Sequence, residues 1–237
     1  APTRGTPHTK RDSGATGTWG RMGDPRTFAR GYRLYRDPRL ASLAWHYAER
    51  DTNRLRGNMF EEDPFSVARE IEQIAGRHPF AVQADYLGRY GQAVLQTDYT
   101  ENGRALWVHF GYGKGHSHRD ALNIGLHANN VDMLPDLGYP EFTGNWPKRG
   151  AWTSNTISHN TVVVDDRPSG YSAGGRLKLF SEALPLRLMD ISSPNAYEGL
   201  ETYRRTVALI DASDDRSYVL DIFRVRGGRT HRLSYHG

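Results

Sequence analysis

The spacing of apolar residues changes once along this chain, near residues 80–90, and that change constrains the fold more than any other feature. Before it, apolar residues recur at helical spacing. Leu40, Leu43, Ala44 and Tyr47 form one such set; Phe65, Val67, Ala68, Ile71, Ile74 and Ala75 form another. Asp24-Pro25, Asp37-Pro38 and Asp63-Pro64 each put a capping Asp before a Pro, which suits the first position of a helix. His78-Pro79 ends the helical pattern. After it the period becomes two. Residues 93–99 and 105–110 flank Glu101-Asn102-Gly103, a hairpin signal. Further strands are predicted over 121–127, 131–136, 161–164, 177–180, 184–189, 206–211 and 217–225. Helices followed by a run of strands give an α+β class. The expected organisation is a flexible segment over 1–20, a helical segment over 21–85 and an antiparallel β domain over 86–237.

Composition narrows the partners. The chain has 237 residues, a net charge of +4 and no Cys. A mild basic balance suits an anionic partner. No Lys/Arg run or nucleic-acid motif is present, so no nucleic-acid partner is expected. No stretch approaches the roughly eighteen apolar residues of a membrane span, so none is expected. Residues 1–18 lack the apolar core of a signal peptide, and the lack of Cys fits an exported bacterial protein. Both ends read as cut, as in a fragment or one product of a nicked chain. Thirteen Tyr and five Trp are many for this length. Such rings pack in cores or line carbohydrate surfaces.

Three short segments carry the chemistry: His116-Ser117-His118-Arg119-Asp120, Asp136-Leu137-Gly138 and Ser158-His159-Asn160-Thr161. If the first is a strand, His116, His118 and Asp120 point the same way. Imidazoles and a carboxylate gathered inside a domain need a polar partner or an ion, and they form a good ligand set for zinc. The plainer reading is a buried hydrogen-bonded cluster without metal. Asp120 is expected to orient a His or Arg, and Asn160 to bond within the sheet. The long polar and aromatic segment 138–156 reads as a binding loop, with Tyr139, Trp146, Lys148, Arg149 and Trp152 as its candidate ligand contacts. Gly113-Lys114-Gly115 reads as the loop that delivers His116 to a cleft, since no phosphate-binding pattern follows. His231 and His236 read as structural or solvated.

In order and spacing, these motifs resemble the heparinase II/III-like polysaccharide lyases. Asp221-Ile222-Phe223-Arg224-Val225, Gly227-Gly228 and His231 extend the likeness, which covers about residues 86–237. The resemblance implies the end of a helical α/α toroid followed by a large antiparallel β-sandwich, incomplete at both ends. It implies Zn2+ held by His118, Asp136 and His159, with His116 as the catalytic histidine on the sandwich side. It implies β-elimination on a uronic-acid-containing anionic polysaccharide: the proton α to the carboxylate leaves, and the 4-linked sugar oxygen is expelled. The family's catalytic Tyr and its Asn or His partner lie on toroid helices upstream of this sequence. A second chain or missing segment is therefore expected to complete the toroid, in a periplasmic or secreted setting. Heparan, chondroitin, hyaluronan, alginate and ulvan all remain as polymers. The rival readings are a zinc-dependent hydrolase and a non-catalytic carbohydrate-binding sandwich.

Overall fold

The computed structural model describes residues 24–81, 84–97, 103–111, 118–129, 131–138, 148–171 and 174–237. The chain divides after Ala81 into two compact units.

The first unit is helical. Helix α1 spans Pro25–Tyr35 and α2 spans Pro38–Tyr47. Both begin as the Asp-Pro pairs predict: Asp24 accepts the Arg26 N–H at 3.0 Å, and Asp37 accepts the Arg39 N–H at 2.9 Å. Each bond satisfies an N–H that the first helical turn leaves open. Helix α3, Ser66–Arg77, departs from the pattern. Asp63 accepts the Phe65 N–H at 3.0 Å, so Asp63-Pro64 caps a turn and the helix starts beyond it, without a side-chain cap. Ala29, Ala41, Ala44, Ala48 and Ala68 pack with Tyr32, Leu55 and Ile71 in the core. Small alanine faces let the helix backbones approach closely. Tyr32 donates its hydroxyl to Glu70 at 2.7 Å, joining α1 to α3.

The second unit is antiparallel β. One sheet has the order β1-β2-β3-β4-β5, with β1 Asp85–Leu87, β2 Gln92–Gln96, β3 Arg104–His109, β4 Ile124–Ala128 and β5 Val131–Asp132. A second has the order β10-β9-β8-β7, with β7 Arg176–Ser181, β8 Leu186–Ser192, β9 Thr202–Asp211 and β10 Ser217–Arg226. A third pairs β6 Val162–Val164 with β11 His231–Leu233. The first two sheets share one core: Leu95, Leu106, Val108 and Ile124 belong to the same cluster as Met189, Ile191, Val207 and Leu209. Alternation of inward and outward residues builds that shared layer.

Two predicted strands differ. Residues 121–123 are not strand, because Leu122 takes φ +54 and turns the backbone before β4 begins. Residues 118–120 are also irregular, so the same-face argument for His118 and Asp120 does not hold. Strand β5 stops at Asp132, and the chain reaches Asp136 as coil.

Candidate metal centre

His118, Asp136 and His159 come together in the second unit. All three are buried, and one donor atom from each lies within 4.8 Å of the others. Asp136 Oδ2 stands 3.0 Å from His159 Nδ1. The rings of His118 and His159 lie 5.2 Å apart, centre to centre.

Local chemistry explains how each segment arrives. Asp136-Leu137-Gly138 forms an Asx turn: Asp136 Oδ1 accepts the Gly138 N–H at 2.9 Å. Gly138 sits at φ +57, where a residue without Cβ is favoured. His159-Asn160-Thr161 is fastened residue by residue. Asn160 donates its side-chain N–H to the Ile124 carbonyl at 3.1 Å, and Thr161 donates its hydroxyl to the Ala121 carbonyl at 2.7 Å. The hydroxyls of Tyr203 and Tyr197 donate to the Val162 carbonyl at 2.7 and 3.2 Å.

Burial pushes the Asp136 carboxyl up. The charge and hydrogen bond of His159 and the Gly138 N–H outweigh it, against repulsion from Asp120, and hold the group below the usual carboxylate range. Asp136 is therefore ionised at neutral pH. An ionised carboxylate with two imidazoles matches the donor chemistry of zinc, which takes such ligands at about 2.0–2.2 Å. The close Asp136–His159 approach is compatible with both serving one ion. The residues present fit a metal.

Behind them lies a layer that the sequence did not mark. Asn123, fully buried, donates its Nδ2–H to Asp136 Oδ2 at 2.7 Å and accepts the Asn160 N–H at 2.8 Å. Arg205, also fully buried, donates through Nη1 to the carbonyls of Leu122 at 2.7 Å and Asn160 at 2.5 Å. Asp221 balances its charge at 2.6 Å. The available signals were slight: an Asn inside an apolar run, and adjacent arginines on a strand, one of which must face inward.

The other predicted residues are distributed differently. His116, Tyr139, Trp146 and the Gly113-Lys114-Gly115 turn lie outside the described residues. Arg149 and Trp152 belong to a short π-helical segment, Arg149–Thr153, with Lys148 exposed at its start. Trp152 stands edge-on to His236 at 5.8 Å, and His236 Nε2 meets the Ile157 carbonyl at 2.8 Å. His231 Nε2 meets the Gly227 carbonyl at 2.7 Å. Asp120 lies 3.8 Å from His109 Nε2, with both side chains buried.

The sequence profile of the heparinase II/III-like C-terminal domain matches residues 88–237, more than half the chain. The chain belongs to this family. Among curated relatives, an alginate lyase from Stenotrophomonas maltophilia (strain K279a) is 27% identical over 161 residues, covering 61% of this chain and 20% of the relative. An exo-oligoalginate lyase from Saccharophagus degradans is 27% identical over 128 residues, covering 48% and 17%. The chain thus spans about a fifth of the length of these curated relatives. The solved structure of heparinase III aligns with 87% of this chain and 30% of its own, at 16% identity and TM-score 0.58. Heparan sulfate lyase HepC from Pedobacter heparinus aligns with 78% and 25%, at 15% identity and TM-score 0.54. These structures share the fold of the heparinase II/III-like chain.

Proposed function

We propose that this chain is part of a polysaccharide lyase that cleaves a uronic-acid-containing polysaccharide by β-elimination. The observation that carries the reading is the convergence of His118, Asp136 and His159 in one buried group inside the matched domain. The names of the two sequence relatives make alginate the first polymer to test. The net charge of +4 suits an anionic chain.

Elimination needs three things of a site. The uronate carboxylate must be neutralised, because a charged carboxylate resists build-up of negative charge on the adjacent carbon. A base must take the α-proton, and the leaving sugar oxygen must receive a proton. His116, two residues before His118, is the proposed catalytic histidine and neutralises the carboxylate. His118, Asp136 and His159 hold zinc, which when bound supplies positive charge and ties three segments together. Tyr139, Trp146, Lys148, Arg149 and Trp152 are the proposed substrate contacts; Trp152 is 40% exposed and offers a sugar-stacking face. The helices of the first unit are proposed as the end of an α/α toroid. A missing segment or second chain contributes the Tyr base, and the enzyme works in the periplasm or outside the cell.

The test is digestion of alginate, and of heparan in parallel, by the polypeptide with its flanking sequence. Elimination produces an unsaturated uronate that absorbs in the ultraviolet. New reducing ends without that chromophore would establish hydrolysis instead. Binding without product would leave a carbohydrate-binding role.

A further inference from the structure

We propose that Asn123 is a positioning residue for the metal group, setting Asp136 and His159 against each other. The proposal rests on the reading of that group as a zinc site. One carboxamide does both tasks. Its Nδ2–H holds Asp136 Oδ2 at 2.7 Å, the same oxygen that faces His159 Nδ1. Its Oδ1 accepts the N–H of Asn160, the residue after His159, at 2.8 Å.

The chemistry selects Asn at this point. Asp136 needs a donor and the Asn160 N–H needs an acceptor, and a carboxamide presents both at short reach. An Asp would set a second carboxylate against Asp136. An apolar residue would leave a buried carboxylate oxygen and a buried N–H without this partner.

The surrounding backbone is arranged to present that side chain. Leu122, immediately before it, is a buried non-glycine residue at φ +54, a conformation that a leucine rarely adopts. Such a residue persists where its surroundings over-determine it, and such positions gather at functional sites. Here the Leu122 carbonyl is held by Arg205, whose Nη1 also holds the Asn160 carbonyl. Arg205 therefore fixes the spacing of the two segments that Asn123 bridges. The backbone of Asn123 is used as well: its N–H donates to the Asp120 carbonyl at 3.0 Å, and its carbonyl accepts the His109 N–H at 2.8 Å.

The test is zinc affinity by competition with a chromophoric chelator, on wild type, Asn123→Ala and Tyr197→Phe. Tyr197→Phe removes a buried bond to the Val162 carbonyl without touching a ligand side chain, so it reports on stability alone. Asn123→Ala is expected to weaken zinc binding about 10- to 100-fold, as for loss of a group that orients metal ligands. Tyr197→Phe is expected to lower the melting temperature and leave zinc affinity unchanged. A wild type that binds no zinc overturns the metal reading and this proposal together. If wild type binds zinc and Asn123→Ala binds it equally well, or Tyr197→Phe loses as much affinity, the positioning role alone falls. Should Asn123→Ala fail to fold, wild-type protein decides by NMR. The Asn123 side-chain amide should shift on zinc addition while that of exposed Asn195 stays, and an unmoved Asn123 amide overturns the proposal.

Discussion

At the scale of single residues, the Asp136–His159 pair joins two of the three proposed metal ligands. Both side chains are fully buried and 3.0 Å apart. Removing one partner from a buried pair strands the other, at a cost of about 3–5 kcal/mol. His159→Ala is therefore expected to lower unfolding free energy by about that amount in urea titrations. It should also abolish the effect of chelator on the melting temperature. The wild type should melt lower after chelation, because metal binding energy is partly folding energy. A wild-type melt unmoved by verified zinc removal would mean that the metal does not pin these segments.

At the scale of elements, strand β4 shows how packing decides sequence. Gly125 lies opposite Trp107 in the register, and a Cβ on Gly125 would come within 2.3 Å of Trp107 Nε1. Trp107 is almost completely buried and has little room to yield. Gly125→Ala is expected to cost about 1–3 kcal/mol by overpacking, measured by urea unfolding. A fully stable variant would show that the ring moves freely. Strand β6 is anchored by Tyr197 and Tyr203. Burial pushes the Tyr197 hydroxyl up to about 12 and raises that of Tyr203 as well. A raised folded-state value gives stability that is complete below the unfolded value of about 10 and is lost as pH rises through the folded one. Stability should therefore fall between about pH 10 and 12, and Tyr197→Phe should flatten that fall. An identical alkaline slope in the variant would refute the assignment. The sequence announced the elements whose cause is local. Asp24 and Asp37 cap their helices as written, and alternation exposed β2, β3, β9 and β10. It did not announce the turn at Leu122 or the pairing of β11 with β6, because both depend on partners far along the chain: Arg205 for one, Val162–Val164 for the other. The same holds at the site. His118, Asp136 and His159 were legible as a set through the family resemblance of the motifs that hold them. Asn123 and Arg205 were not, because their importance lies in contacts 37 and 45 residues away with Asn160.

At the scale of the whole molecule, the described chain supplies one part of the proposed chemistry. The three buried donors sit within a β domain that matches the family over residues 88–237. In the proposed reading the base comes from helices outside these 237 residues, and the matches cover only 20% and 17% of the curated relatives. The 237 residues alone are therefore expected to show little elimination activity, and the polypeptide with its flanking sequence to show it strongly. In that longer protein, His116→Ala removes the group that offsets charge on the uronate while leaving the three donors in place. The loss is one of transition-state stabilisation, so it should appear in kcat, by roughly 100-fold or more, with zinc content unchanged. His159→Ala should behave in the opposite way, losing metal and stability first and activity as a consequence. Steady-state kinetics beside zinc content on the two variants separates these cases. Full kcat in His116→Ala would remove that residue from the mechanism, and full activity from the 237 residues alone would show that the base lies within them.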